Sequence, residues 1–181
     1  MSESPEKKVD VNQMLRYKRL VFYTEEIDKF NELLTDFLDS TQAKAALIVD
    51  VEGHLVTKMG YTKSFDTESL SALIAGSFAS TKQVANILGE EEFNEIFHQG
   101  KNDNIYISVV RDRSMVVVIF DDRTTIGMVK FYAENLCKDL GSVIDQAADK
   151  QAKGEGGKED DMLEDDFSDS MQNKMDDLFG L

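Results

Sequence analysis

The residues of this chain that could do chemistry are few and poorly spaced for it. Two histidines, His54 and His98, and one cysteine, Cys137, are present. Neither histidine falls in a His-x-x-x-His pattern and no Cys-x-x-Cys occurs, so no metal site is expected. His98, in Phe97-His98-Gln99-Gly100, reads as a strand-end side chain holding a turn or a contact between copies. Asp121 and Asp122 are adjacent carboxylates of the kind general acid–base catalysis uses, but a turn and N-cap ahead of Thr125 is the stronger reading. No Gly-rich loop ending in Gly-Lys-Ser/Thr is present, which removes a P-loop nucleotide site. Cys137 falls in a helical stretch, where a buried inert thiol is expected rather than a nucleophile. No catalytic residue and no cofactor is assigned, and the chain is not expected to be an enzyme in its own right.

Charge narrows the partners. The 181 residues carry a formal charge of −15, which argues against nucleic acid and against an anionic membrane surface, since both need clustered Lys and Arg. No apolar run is long enough to span a bilayer, and the polar residues 1–10 do not resemble a signal peptide. A lone cysteine cannot form an intrachain disulfide and suits a reducing cytoplasm. The charge is uneven along the chain. Residues 1–19 carry Lys7, Lys8, Arg16, Lys18 and Arg19 and form a slightly basic arm. Residues 151–181 open with Gly154, Gly156 and Gly157 and are strongly acidic, a composition that resists independent folding. A folded domain over residues 20–150 is expected between them.

Inside that domain, Thr24, Glu25 and Glu26 open a helix whose Ile27, Phe30, Leu33, Leu34, Phe37 and Leu38 recur at helical spacing. Residues 43–50 and 54–60 read as a hairpin around Val51-Glu52-Gly53. Asp66 starts a second helix that stops near Gly89. Residues 93–99 read as a short strand, residues 104–110 and 114–120 as a second hairpin, and Thr124 or Thr125 caps a long final helix. The expected fold is α+β, in the order α-β-β-α-β-β-β-α, with a five-stranded, mostly antiparallel sheet. The first and last helices should share one face and the second helix should cover the other. On that second helix, Leu70, Leu73, Ile74, Val84 and Leu88 are expected to seat against the sheet. Ala72, Ala75, Gly76, Ala79, Gln83 and Asn86 would then face outward. Lys and Glu normally fill such positions, so their scarcity points to a contact surface.

The segments Ala46-Leu47-Ile48-Val49-Asp50, Leu73-Ile74-Ala75-Gly76, Ile87-Leu88-Gly89-Glu90, Phe97-His98-Gln99-Gly100, Val117-Val118-Ile119-Phe120-Asp121 and Thr125-Ile126-Gly127 resemble, in this order, the Roadblock (dynein light chain) family. Within it they are similar to the bacterial MglB-type regulators of a Ras-like GTPase. Met175-Asp176-Asp177-Leu178-Phe179 is similar to the acidic Leu-Phe tail of some MglB-type members. The resemblance implies a Roadblock homodimer, with sheets joined edge to edge through the strand holding Phe93, Glu95, Phe97 and Gln99. It implies paired second helices that receive one small GTPase of MglA type near Ala72, Ala75, Gly76, Ala79, Ser80 and Gln83. Arg111, Arg113 and Arg123 are the loop arginines that a trans arginine finger could draw on, but the resemblance implies activation without a finger. It also implies a role in cell polarity or motility, with enrichment at a cell pole. The alternative is a non-activating scaffold that tethers the GTPase or a polarity protein.

The tail adds a second candidate contact. Leu163, Phe167, Met171, Met175 and Leu178 or Phe179 fall on one helical face with aspartates around the rest. Such a segment reads as a partner-binding helix on a flexible tether.

Overall fold

Two stretches of the chain are apolar at nearly every position, and both become central strands buried on both faces. These are β1 (Ala45–Asp50) and β5 (Ser114–Phe120). The computed structural model describes residues 21–91 and 93–153. Its other elements are α1 (Thr24–Thr41), β2 (Leu55–Gly60), α2 (Thr67–Leu88), β3 (Glu95–Gln99), β4 (Asn104–Val110) and α3 (Ile126–Ala152). The sheet runs β2-β1-β5-β4-β3 and every neighbouring pair is antiparallel. Element order and sheet match the expected α-β-β-α-β-β-β-α fold. The basic arm lies outside the described residues, as does the tail from residue 154 with Leu163, Phe167, Met171, Met175, Leu178 and Phe179. Among the described residues no helix is long and apolar enough to cross a membrane.

The chain divides into two units, residues 24–145 and the two ends. Of the ends, residues 21–23 and 146–153 are described, and there the Val21 amide donates to Gln151 Oε1 at 3.4 Å. The whole sheet lies within residues 24–145.

Register assigns each helix to a face. Residues directly opposite one another across strands share a face, so Thr57, Ile48, Val116, Ser108 and Glu95 form one row. The Thr57 hydroxyl donates to Asn31 of α1 at 2.6 Å, Lys130 of α3 donates to Glu95 at 2.6 Å, and the Cys137 thiol of α3 contacts Ser108 at 3.6 Å. Helices α1 and α3 therefore share a face. The adjacent row, Lys58, Leu47, Val117, Ile107 and Ile96, faces the other way. There Lys58 donates to Thr67 of α2 at 2.8 Å, and Ile74 and Ala75 join Leu47, Ile107 and Val117 in one apolar cluster. On the opposite face Phe30, Leu34 and Phe37 of α1 are buried. Full burial of such side chains stabilises by about 1.5–3 kcal/mol each.

The helix ends follow local chemistry. Asp66 accepts from the Glu68 and Ser69 amides at 3.1 and 3.2 Å, and Gly89 closes α2 at φ +75°. Of the two candidate caps for α3, Thr125 is the one used, its hydroxyl accepting from the Met128 amide at 3.3 Å. Asp121 accepts from the Arg123 amide at 3.1 Å and so holds the turn before it.

Two expectations are corrected. Phe93 lies before β3, which begins at Glu95. On α2 the seating is rotated: Leu73, Val84 and Leu88 are exposed, whereas Ala75 is buried. Leu70 and Ile74 do seat on the sheet side as expected, joined by Phe78, and the small residues Thr67, Ser71, Ala75 and Ala85 fill the rest of the buried face. The β1–β2 turn approaches this helix closely. Gly53, at φ +94° in the β1–β2 turn, lies so near α2 that a Cβ there would stand 2.9 Å from the Ala72 Cα. Only glycine fits at position 53 at that spacing, and the buried Ser71 hydroxyl donates to the Thr67 carbonyl at 2.7 Å.

Candidate functional site

Beside the buried Ile74 and the partly buried Leu70 and Phe78, α2 keeps four large apolar residues in solvent. Leu73 is 73% exposed, Val84 49%, Ile87 84% and Leu88 66%. With Ser80, residues 73, 80, 84 and 87 form one outward line at helical spacing. Ala72, Gly76, Ala79 and Gln83 form a second line beside it, also exposed. Across 22 residues only Glu68 and Lys82 are charged. Of the six positions expected to contact a partner, Ala72, Gly76, Ala79, Ser80 and Gln83 lie on this surface and Ala75 lies beneath it. The apolar line beside them was missed because Leu73, Val84 and Leu88 were assigned to the core. Ile87 was missed with them; its three-residue step from Val84 was the available signal.

Gly76 has no role within residues 24–145 that requires glycine. Its backbone is ordinary helix, and a Cβ added there would meet nothing within 4 Å. Glycine inside a helix is about 1 kcal/mol less favourable than alanine.

The second feature is the sheet edge at β3. Four of its five residues are exposed and, among the described residues, it pairs with β4 alone. Glu95, Phe97 and Gln99 point their side chains to the α3 side. The Glu95 carboxylate receives Lys130 at 2.6 Å and the Tyr106 hydroxyl at 2.8 Å. The Lys130 bond, with that of Tyr106, holds it below the usual carboxylate range, and burial beside Glu95 raises the Tyr106 hydroxyl. Phe97 stacks on Phe120, ring centres 6.1 Å apart.

The polar candidates resolve into structural roles. Arg111, at φ +55° between β4 and β5, is held by Asp145 of α3 through contacts of 2.8–3.1 Å and lies against Gly141. It is thereby drawn to the face away from α2. Arg123 is bound to Asp121 at 2.9 Å, which lowers the Asp121 carboxyl. Arg113 sits in the same short helical turn as Arg111 and passes its carbonyl to the Val51 amide at 3.1 Å. Cys137 is half-buried and burial raises its thiol, which disfavours the thiolate. His98 is exposed on β3.

Asp50, Glu52 and His54 bring three possible metal-binding atoms within 4.8 Å of one another. The Asp50 carboxylate, however, already accepts from the Glu52 and His54 amides at 2.9 and 2.8 Å and lies 2.9 Å from His54 Nδ1. That arrangement clamps the β1–β2 turn. A shallow cavity of about 330 Å³ beside Leu38, Met59, Lys44 and Arg123 has both cations matched, Lys44 by Asp103 at 2.8 Å and Arg123 by Asp121.

A five-stranded antiparallel sheet with one helix on one face and two on the other defines an α+β sandwich that presents an exposed, partly apolar helix surface and a strand edge. The sequence matches the Roadblock/LC7 domain over residues 29–120, and the chain belongs to that family. Its solved relatives include MglB proteins. Myxococcus xanthus MglB is 35% identical, with a TM-score of 0.66, over 71% of this chain and 96% of that one. The gliding protein MglB of Thermus thermophilus is 27% identical, with a TM-score of 0.65, over 70% of this chain and 96% of that one. An MglB with a tetrameric arrangement is also 27% identical, with a TM-score of 0.68, over 71% and 96%. No curated protein sequence matches this chain.

Proposed function

We propose that this protein is a homodimeric MglB-type regulator that binds a small Ras-like GTPase of MglA type and promotes hydrolysis of its GTP. The observation that carries this reading is the outward surface of α2, where an apolar line and a small-residue line run side by side. The apolar line suits pairing with α2 of a second copy, and the small-residue line around Gly76 and Ala79 lets a partner approach closely. The 35% identity to Myxococcus xanthus MglB over most of both chains supports the same reading. The protein acts in the cytoplasm, with enrichment at a cell pole, as part of a polarity or motility switch. Residues 20–150 form the domain, and the acidic tail supplies a second contact.

Activation proceeds without an arginine finger. Arg111 and Arg123 are each committed to a carboxylate of their own chain, and Arg111 is drawn to the face away from α2. The surface works by preferring the GTPase conformation whose own groups reach the nucleotide, which is differential binding of one state.

The test is single-turnover GTP hydrolysis by an MglA-type GTPase with and without this protein. Stimulation by the wild type, retained in Arg111→Ala, Arg113→Ala and Arg123→Ala and lost with binding in Ala79→Arg, is the expected result. A loss of about a thousandfold from one arginine with binding intact would identify a finger. Binding without stimulation would make the protein a scaffold.

A further inference from the structure

Helix α2 ends in a way that its own stability does not explain. The unsatisfied carbonyls at a helix C-terminus carry about half a negative charge, so Lys, Arg or His in the last turn is the favourable arrangement. The last turn of α2 holds no basic residue. The chain then passes through Gly89 into Glu90 and Glu91, both exposed. The Gly89 and Glu90 amides return to the Asn86 and Ala85 carbonyls at 3.3 and 3.0 Å. Among the described residues no amide from beyond the helix returns to the Ile87 or Leu88 carbonyl, and neither Glu90 nor Glu91 forms an ion pair. Free carbonyls and two carboxylates therefore meet at one point.

Beside this negative end stands the exposed Leu88, which belongs to neither the apolar nor the small-residue line of α2. An apolar side chain next to a negatively polarised end fits a long side chain with an apolar stem and a cationic head. The cations that the fold fixes are committed elsewhere. Lys44, Arg111, Arg123 and Lys130 are bound to carboxylates of their own chain, and Lys58 donates to Thr67. Lys82, the one cation of α2, is six residues before Leu88 and so projects about 120° away around the helix axis. A second copy meeting α2 with its own α2 brings the same single cation on that other side. The source is therefore the partner protein.

We propose that the C-terminal end of α2 anchors a basic side chain of the bound GTPase, a lysine or arginine whose stem lies on Leu88 and whose head meets the Ile87 and Leu88 carbonyls and the Glu90 and Glu91 carboxylates. The inference rests on the GTPase-regulator reading above and names the chemistry that one end of the platform selects. Glu68, near the other end, is favourable to the helix because it complements the positive N-terminus. Glu90 and Glu91 repel the end they follow, and a cation from the partner turns that repulsion into attraction. The same arrangement rejects a partner that places a carboxylate there. Since the rest of α2 holds only Glu68 and Lys82 as charged residues, this end is where charge discriminates between partners.

The test compares two charge reversals in the full-length protein. Glu90→Lys with Glu91→Lys alters the end of α2, and Glu32→Lys with Asp36→Lys makes the same change of charge at exposed positions of α1, on the opposite face of the sheet. Each is titrated with an MglA-type GTPase carrying a non-hydrolysable GTP analogue, at low and at high salt. The α2 pair should weaken binding about tenfold at low salt, with a smaller gap at high salt. The α1 pair should stay within about twofold of wild type. Without GTPase, the α2 pair should raise the thermal midpoint, because lysines complement a helix C-terminus, and should leave the oligomeric state by light scattering unchanged. Equal weakening by both pairs would assign the effect to net charge, and unchanged affinity of the α2 pair would leave the helix end without a cation; either result overturns the proposal. So does a lowered midpoint, which would mean that the two carboxylates serve the fold of the free protein, and so does loss of the oligomer, which would place the cation on a second copy. Failure of the wild type to bind the GTPase would overturn the regulator reading itself, whereas the proposal alone fails on the variants with wild-type binding intact.

Discussion

Glu95 joins three parts of the fold, β3 by its backbone, β4 through the Tyr106 hydroxyl and α3 through Lys130. Among the described residues β3 has one strand neighbour, and these bonds and the Phe97–Phe120 stack add to its backbone ladder with β4. The bonds also give a pH dependence. Its carboxyl titrates below the unfolded value, so its contribution is fully present above the unfolded pKa, near 4.5, and is lost as pH falls through the lower folded value. Glu95→Gln should lower the thermal midpoint at pH 7, and the gap to wild type should close on acidification to about pH 3. A gap that stays constant across that range would mean that the charge of Glu95 contributes nothing. The arginines show the same logic in another form. A charge that sequence alone leaves in a loop acquires a fixed partner only when the chain folds.

At the scale of elements, α2 carries large apolar residues on two sides. Leu70, Ile74 and Phe78 pack on the core with Ser71, Ala75 and Ala85, while Leu73, Val84, Ile87 and Leu88 meet solvent. The buried side holds the helix on the sheet, and the exposed side is the surface on which the proposed contact with a partner rests. Gly76 separates the two roles. Gly76→Ala should leave the fold intact and stabilise residues 24–145 by about 0.4–1 kcal/mol, since the backbone is helical and the new methyl meets nothing. It should also weaken GTPase binding. A thermal melt on dilute protein and a binding titration check the two halves. Unchanged affinity would move the close-approach point away from Gly76.

For the whole molecule, negative charge is densest in residues 151–181, where ten acidic and three basic residues give −7 of the −15 in the 31 residues that follow the domain. Tethering a second contact raises affinity through effective concentration, without a new contact on the platform. Deletion from Gly154 should therefore weaken the GTPase complex while the dimer persists by light scattering, and Phe167→Asp with Phe179→Asp should reproduce the loss. Equal titration curves for all three proteins would assign the tail to another partner.

Where the determining forces act between near neighbours, the sequence was sufficient. The β4–β5 hairpin is legible at residues 104–110 and 114–120 because β5, buried along its whole length, is almost continuously apolar and the partly buried β4 before it is rich in β-branched residues. Asp66 and Gly89 bounded α2 because capping is chemistry within one turn. The Roadblock fold was legible in the same local signals taken in order. Three matters were decided only by tertiary structure. The rotation of α2 was one: spacing places Leu70 and Ile74 on the sheet correctly, but only the packed structure shows that Leu73, Val84 and Leu88 face solvent and Ala75 does not. The commitment of Arg111 depended on Asp145, 34 residues away. The outward direction of the Glu95, Phe97 and Gln99 backbone depended on the register with β4. A strand's side chains are fixed by its own sequence, but the side on which its hydrogen bonds are already used is fixed by its neighbour.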